Sequence, residues 1–327
     1  MSRLLGPARR SPRTGRAVGL AAAACTALAL SAVTPAAAVE PPLSGPRIIA
    51  HFDLARGQQP ENIALEPDGS ADLTLSFARQ VGRVGTDGRL TVLATLPAPA
   101  NPATPVVGAA LVTGIARAHD GTLYFGYATG TDDLQGIWRL CSGGAPERIA
   151  PLPATGFPNG LALDEREGRL YTADSVLGVV YAVPVDGGAT TIWSDDALLK
   201  PVTAIGANGL KVHRGAVWVS NSDTGDLLRI PIGEDGGARP AEVRADGLAG
   251  IDDFAFTGRG DALIAALNPA SEAVYVASDG SHHVVLTAGD GLSNPTSVAV
   301  RGGKVYVPSA AYFTRTDPNL LLAHLER

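Results

Sequence analysis

Residues 159–173 read NGLALDEREGRLYTA and contain the pattern that decides the fold. A short apolar segment begins at Leu161, a polar turn that includes Gly168 follows it, and a second apolar segment begins at Leu170. Two short apolar segments on either side of a glycine-containing turn are typical of strands rather than of a helix. The stretch therefore predicts a pair of antiparallel strands.

The same pattern recurs along the whole chain. Six first strands begin 52, 46, 49, 44 and 44 positions apart, at Glu61, Thr113, Asn159, Asn208, Asp252 and Thr296. Further strand and turn signals follow each pair, and no long window after the N-terminal segment has helical periodicity. Repeats of this length match four-stranded propeller blades. The sequence predicts an all-β fold, a six-bladed β-propeller.

The last repeat lacks an outer strand of its own, because its third strand, at 320–325, ends near the C-terminus. The segment 47–52, before the first repeat, has the right length and pattern to pair beside it. That pairing would remove two exposed strand edges, which otherwise promote aggregation. We therefore expect the N-terminal strand to close the ring in a propeller domain of residues 39–327.

The first 38 residues have the composition of an export signal. They contain five arginines and no acidic residue, then an apolar run at 17–33, then Ala36-Ala37-Ala38. A basic start, an apolar run and small residues are typical of a signal peptide. We predict cleavage after Ala38 and secretion, by the general route or, given Arg9-Arg10, by twin-arginine export. A lipid-modified Cys25 is the disfavoured alternative.

The rest of the chain is acidic. The formal net charge of −6 becomes −11 once the five N-terminal arginines are removed. Nucleic acids and anionic membranes need clustered Lys and Arg, so we expect neither as a partner, and no stable membrane insertion after signal cleavage. Cys141 is then alone and cannot form an internal disulfide. We expect a monomer whose partner is a small molecule.

The residues that open the six first strands point to a metal site. Innermost strands line the channel of a propeller, so their first residues should meet at one mouth. Each of the six carries a side-chain oxygen, and the set Glu61, Asn159, Asn208 and Asp252 resembles a hard-cation site. We expect Ca²⁺ first, with Mg²⁺, Mn²⁺ or Zn²⁺ as alternatives. The competing explanation is that Asn and Asp simply form tight turns here.

These motifs resemble those of the senescence-marker-protein/gluconolactonase (regucalcin-like) propellers. The resemblance rests on Glu61, Asn159-Gly160-Leu161, Asn208-Gly209-Leu210 and Asp252, in this order, and covers the chain from about residue 48 onward. It implies one divalent cation held by a Glu, two Asn and an Asp. We interpret the chain as a divergent, secreted bacterial protein that resembles this family.

The chain departs from the family at several positions. Glu61-Asn62-Ile63 stands where its lactonases have Glu-Gly-Pro, and Ile251-Asp252-Asp253 where they have Pro-Asp-Gly. Phe157 stands where they have a substrate-binding Arg, which favours a less polar ligand than a sugar acid. The same motifs resemble a divergent branch that includes fungal hetero-Diels–Alder cyclases.

A second set of residues is expected to contact the substrate. Asp174, Asn221 and Asn268 follow second strands, and Tyr127 has the same place in the second repeat. Together with Thr113 and Phe157 they would form a pocket that mixes aromatic and polar groups. The alternative is that the polar ones cap strand ends.

The function that these observations favour is a secreted metal-dependent hydrolase of lactone or related ester type. A cation would polarise the carbonyl group, and Asp252 would serve as catalytic general base as well as ligand. The sequence contains no Gly-x-Ser-x-Gly, His-Glu-x-x-His or phosphate-binding Gly-Lys-Ser/Thr motif. Two alternatives are a non-catalytic ligand-binding propeller and a cyclase-type enzyme that orients a reactive substrate.

Overall fold

The computed structural model describes residues 43–326, so the predicted signal peptide at 1–38 lies outside the described residues. This part of the chain forms 24 β-strands, arranged as six four-stranded sheets. Its helices are single 3₁₀ turns at Leu54–Arg56, Ala197–Leu199 and Ala288–Asp290. The fold is a six-bladed β-propeller, as the repeats predicted.

The first strand, β1 (Leu43–His51), precedes the first complete blade. Blade one contains β2 (Pro60–Leu65), β3 (Ala71–Leu75), β4 (Gln80–Val84) and β5 (Leu90–Thr95). Blade two contains β6 (Leu111–Arg117), β7 (Leu123–Ala128), β8 (Gly136–Leu140) and β9 (Glu147–Pro151). Blade three contains β10 (Pro158–Asp164), β11 (Arg169–Asp174), β12 (Val179–Pro184) and β13 (Thr191–Ser194).

The remaining blades follow the same antiparallel order. Blade four contains β14 (Ala207–His213), β15 (Ala216–Asn221), β16 (Asp226–Pro231) and β17 (Glu242–Ala245). Blade five contains β18 (Ile251–Phe256), β19 (Leu263–Leu267), β20 (Glu272–Val276) and β21 (His282–Leu286). Blade six contains β22 (Ala299–Arg301), β23 (Lys304–Ser309) and β24 (Asn319–Leu325), with β1 as its outer strand.

The pairing of β1 with β24 closes the ring. Arg47 lies opposite Leu322, and Ala50 lies opposite Leu320. The contact continues past β1, where the Phe52 backbone N–H donates to the Pro318 carbonyl at 2.8 Å. The predicted closure of the last blade by the N-terminal strand is therefore confirmed.

The core consists of apolar layers between neighbouring blades. Between blades four and five, for example, Trp218, Phe254 and Leu263 pack together and are almost fully buried. Burying a side chain of this size stabilises the fold by about 1.5 to 3 kcal/mol. A further small cluster, which includes Leu111 and Phe157, lies at one mouth of the ring rather than between sheets.

Irregular pairing marks that mouth. In blades one to five the register between the first two strands shifts near the strand start, at 60–62, 112–115, 158–161, 207–210 and 251–254. Such bulges redirect side chains and are frequent beside active sites. Each shift contains one of the predicted mouth residues, so the local backbone aims these side chains differently from those of a regular strand.

Candidate functional site

A cavity of about 480 Å³ occupies the mouth of the channel. The four predicted cation ligands, which we call the floor residues, all line it: Glu61, Asn159, Asn208 and Asp252. Each is at most 9% exposed. Phe157 and Asn268, two of the predicted substrate contacts, line the same cavity. The structure therefore brings together six of the ten residues that the sequence proposed for the site.

Asn208 and Asp252 are joined by a hydrogen bond across blades four and five. The Asn208 Nδ2 donates to Asp252 Oδ1 and to the Ser222 hydroxyl, both at 2.9 Å. The Asn208 Oδ1 is buried and has no hydrogen-bond partner within the described residues. A buried amide oxygen without a partner is costly, and it is a suitable ligand for a hard cation.

The other floor residues are held from neighbouring loops. The Tyr312 hydroxyl donates to Glu61 Oε2 and lies 2.9 Å from the Ser76 hydroxyl oxygen. The Asn159 Nδ2 donates to the Ser175 hydroxyl at 3.3 Å. The side-chain oxygen of Asn159 does not take part in this bond, so both asparagines use their NH₂ groups for support.

Burial and mutual repulsion disfavour two negative charges on this floor. Burial, the largest influence, and the Asp253 charge together raise the pKa of the Glu61 carboxyl to about 7, although the hydrogen bond from Tyr312 lowers it. Burial and then the charges of Glu61 and Asp253 raise the pKa of Asp252 well above its usual range. A divalent cation between the two carboxylates would remove this conflict.

A second polar group lies next to the floor, and we call it the polar channel network. It consists of Asn62, Asp253 and Ser297, each one residue after a first-strand residue, together with Lys211. Its centre is Asp253, which is 1% exposed. Asp253 accepts hydrogen bonds from Asn62 at 2.9 Å and from Ser297 at 2.8 Å, and its carboxylate pairs with the Lys211 ammonium at 2.6 Å. The network thus ties blades one, four, five and six together directly beneath the floor.

Four predicted substrate contacts do not line the cavity. Asp174 Oδ1 accepts backbone N–H groups of its own turn and, at 2.9 Å, the backbone N–H of Phe157. The Asn221 amide donates to the Leu198 and Lys200 carbonyls. The Tyr127 hydroxyl donates to the Pro97 carbonyl at 2.7 Å.

Thr113, the fourth, is fully buried as well. Capping, the alternative explanation for the polar residues, describes Asp174 and Asn221 in this structure. None of these four residues is therefore a direct substrate contact in the site that we propose below, although Asp174 holds the backbone of Phe157.

Tyr312 and Phe313 also line the cavity, and the sequence did not predict them as site residues. They lie in the segment 310–318 between β23 and β24, which has nine residues where blades one, three, four and five have four. The Asn294 Oδ1 holds this loop by accepting the backbone N–H groups of Phe313 and Thr314 at 2.9 and 2.8 Å. The extra length of this loop and its two adjacent aromatic residues were the signal that the sequence offered.

Two kinds of feature are lacking within residues 43–326. No three His, Cys, Asp or Glu side chains come together as a metal-binding group, so a cation would depend on the amide oxygens of Asn159 and Asn208 beside two carboxylates. No helix in the same range has the length and apolar character to span a membrane.

Comparison with solved structures places the chain among known propellers. It is 17% identical to a calcium-binding protein, regucalcin, from Agrobacterium tumefaciens, over 86% of this chain and 94% of that one, with a TM-score of 0.63. It is 18% identical to a gluconolactonase from Xanthomonas campestris, over 90% and 99%, with a TM-score of 0.58. The chain shares the fold of regucalcin and gluconolactonase propellers.

Other propellers of different activity are also similar. A catalytically inactive histidine variant of virginiamycin B lyase from Staphylococcus aureus, solved with quinupristin, is 16% identical over 83% of this chain and 82% of that one, with a TM-score of 0.58. No protein-family model and no curated protein sequence matches the chain. The likeness at these identities establishes the fold, and the resemblance found in the sequence is supported at that level.

Proposed function

We propose that the protein is a metal-dependent hydrolase that opens a lactone or a related ester. The observation that carries this proposal is the convergence of four oxygen-bearing side chains, from four blades, on the floor of one cavity. Glu61, Asn159, Asn208 and Asp252 would hold a divalent cation, with Ca²⁺ as the first expectation. Regucalcin, a calcium-binding protein of the same fold, agrees with this choice.

The donor set fits a hard cation. Two carboxylates and two amides provide only oxygen ligands, which suit Ca²⁺, Mg²⁺ and Mn²⁺ better than softer metals. The buried Asn208 Oδ1 lacks a partner within the described residues, and the carboxyls of Glu61 and Asp252 both have raised pKa values through burial. Each of these three features describes a group that a positive ion would stabilise.

Asp252 is our choice for the general base. A bound cation would supply Lewis-acid polarisation of the substrate carbonyl. The hydrogen bond from Asn208 holds Asp252 Oδ1 at 2.9 Å, while Oδ2 has no hydrogen bond within the part of the chain described. That second oxygen can accept the proton of an attacking water molecule. Tyr312 orients Glu61 by donating to its carboxylate.

The apolar side of the cavity favours one alternative, a cyclase-type pocket that only orients a reactive substrate. Lyase chemistry of the virginiamycin type is less well supported, because no histidine of residues 43–326 lines this cavity. The two carboxylates and two amides on the floor favour the hydrolase, since orientation of an apolar substrate needs none of them.

The test compares two Asp→Asn variants of the same cavity on a panel of lactones and esters. Asp252→Asn removes the proposed base, so hydrolysis should fall by about 10² to 10⁴-fold. Asp223→Asn is the matched control, because Asp223 lines the cavity but holds the backbone N–H groups of Val202 and Thr203 instead. Undiminished hydrolysis in Asp252→Asn would contradict the assignment.

A further inference from the structure

One side of the cavity has no polar side chain above the floor. On blades one to three and at the entry to blade four, the remaining residues that line it are Phe77, Val106, Val107, Leu111, Phe157 and Ile205. We call this set the apolar wall. Phe77, Val107 and Ile205 pack against the buried pair of Leu111 and Phe157, so the wall is continuous rather than a scatter of single residues.

Apart from the floor residues, the polar side chains that line the cavity lie on the other side of the mouth. Ser222, Asp223, Asn268 and Arg315 line the cavity on blades four to six. A sugar lactone carries hydroxyl groups around its whole ring, and each one buried against the apolar wall would lose its hydrogen bonds to water. Such unpaired polar groups weaken binding. The wall therefore disfavours polyhydroxylated substrates.

Two apolar side chains at the rim remain exposed. Val106 is 63% exposed and Phe313 is 69% exposed, and both line the cavity. Val106 also has a φ of +69°, a conformation that β-branched residues rarely adopt. Backbone strain of this kind persists where the surrounding structure enforces it, often in ligand-binding segments. A bound apolar group would cover both side chains.

We propose that the apolar wall is a subsite for an alkyl or aryl group next to the reacting carbonyl, so that the substrates are apolar lactones or esters. This inference rests on the proposed function, in which the floor residues act on the carbonyl group. A polar head on the floor and an apolar substituent on the wall would match the two-sided character of the cavity. The volume of about 480 Å³ lies in the usual range for small-molecule sites.

The experiment uses γ-lactones whose alkyl side chains have zero, two, four and six carbons, with glucono-δ-lactone as the polar reference. Each methylene buried on the wall should raise kcat/KM by about fourfold until the wall is filled. The γ-lactams with the same side chains, which resist hydrolysis, provide a binding series measured by calorimetry. The same chain-length dependence should appear in their affinity.

Val106→Asn separates this role from stability. Asn tolerates the left-handed conformation, so the melting temperature should stay the same or rise, while affinity for the six-carbon lactam falls about threefold to tenfold. Val202→Asn is the matched control, since Val202 is 74% exposed and does not line the cavity. Its affinities should equal those of the unmodified protein.

The outcomes distinguish the two proposals. Chain-length-dependent lactam binding without hydrolysis of any lactone would support the apolar subsite and overturn the hydrolase. Affinity that does not change with chain length, or a preference for glucono-δ-lactone, would overturn the apolar subsite even if hydrolysis is observed.

Discussion

The two halves of the propeller channel differ at one equivalent position, the residue that follows each mouth residue. Blades two, three and four have glycine there: Gly114, Gly160 and Gly209. Blades five, six and one have Asp253, Ser297 and Asn62 instead. We call the first set of blades the glycine half and the second set the polar half. Both halves contribute residues to the same cavity floor, but each half holds its residues by a different kind of contact.

In the glycine half the backbones of neighbouring blades come close together. A Cβ on Gly160 would lie 2.7 Å from the Leu210 backbone nitrogen, and one on Gly209 would lie 2.5 Å from the Asp252 carbonyl oxygen. No Cβ fits at such distances. The glycines therefore set the spacing between Asn159, Asn208 and Asp252, which is a steric requirement rather than one of backbone conformation.

In the polar half, by contrast, side chains fill the space that closely packed backbones occupy in the glycine half. Asp253 bonds to Asn62 and Ser297 and pairs with Lys211, which reaches it from blade four. The floor is therefore held by close backbone contact on one side and, on the other, by an ion pair whose carboxylate is buried. The two supports should respond differently to substitution.

The largest effect is expected for Gly160→Ala. The added Cβ meets backbone atoms of blade four, which cannot move without shifting Asn208. We expect the free energy of unfolding to fall by about 3 kcal/mol, as measured by chemical denaturation. Gly289→Ala is the control, because the added Cβ there would come no closer than 3.3 Å to another residue, the Thr287 hydroxyl. Its effect on the free energy of unfolding should be close to zero. Equally small effects for both variants would show that close backbone contact does not hold the floor on the glycine side.

A smaller effect is expected for Asp253→Asn. The change keeps the shape of the side chain but leaves the Lys211 ammonium, whose side chain is 26% exposed, without its carboxylate. Because this ammonium is partly solvated, we expect the free energy of unfolding to fall by about 2 to 3 kcal/mol, at or below the usual cost of breaking a buried ion pair.

The partner variant Lys211→Met sharpens this prediction. Combined with Asp253→Asn, it removes both charges, so the double variant should be more stable than the sum of the single losses implies. Additive losses would show that the ion pair does not act as a unit, and that the polar half is held by the Asn62 and Ser297 bonds alone.

Much of the fold was predictable because it depends on local repetition. Alternating apolar segments and glycine turns specify hairpins, and their spacing specifies blades. The closure by β1 followed from the absence of a fourth strand in the last repeat. The floor residues were predictable in part, since residues at the start of innermost strands lie near a mouth. Four of the six line the cavity, whereas Thr113 and Thr296 are fully buried and do not.

The remainder depends on contacts that sequence spacing does not encode. Asp174 and Asn221 have the residue types of ligand contacts, but their side chains bond to backbone groups of the protein instead, Asp174 to N–H groups and Asn221 to the carbonyls of Leu198 and Lys200. Tyr312 reaches Glu61 across 251 positions of sequence through a long loop, and Asp253 pairs with three other blades. Such partners follow from the three-dimensional arrangement of the ring, which one repeat alone does not contain.

We propose that the two halves together hold a divalent cation, and calorimetric titration of Ca²⁺ into chelator-treated protein measures this binding. We expect one Ca²⁺ per chain, with affinity reduced about tenfold or more in Glu61→Gln, which removes one ligand charge, and unchanged in Asp223→Asn. The absence of binding for Ca²⁺, Mg²⁺, Mn²⁺ and Zn²⁺ alike, in protein that carries no metal through purification, would contradict the claim.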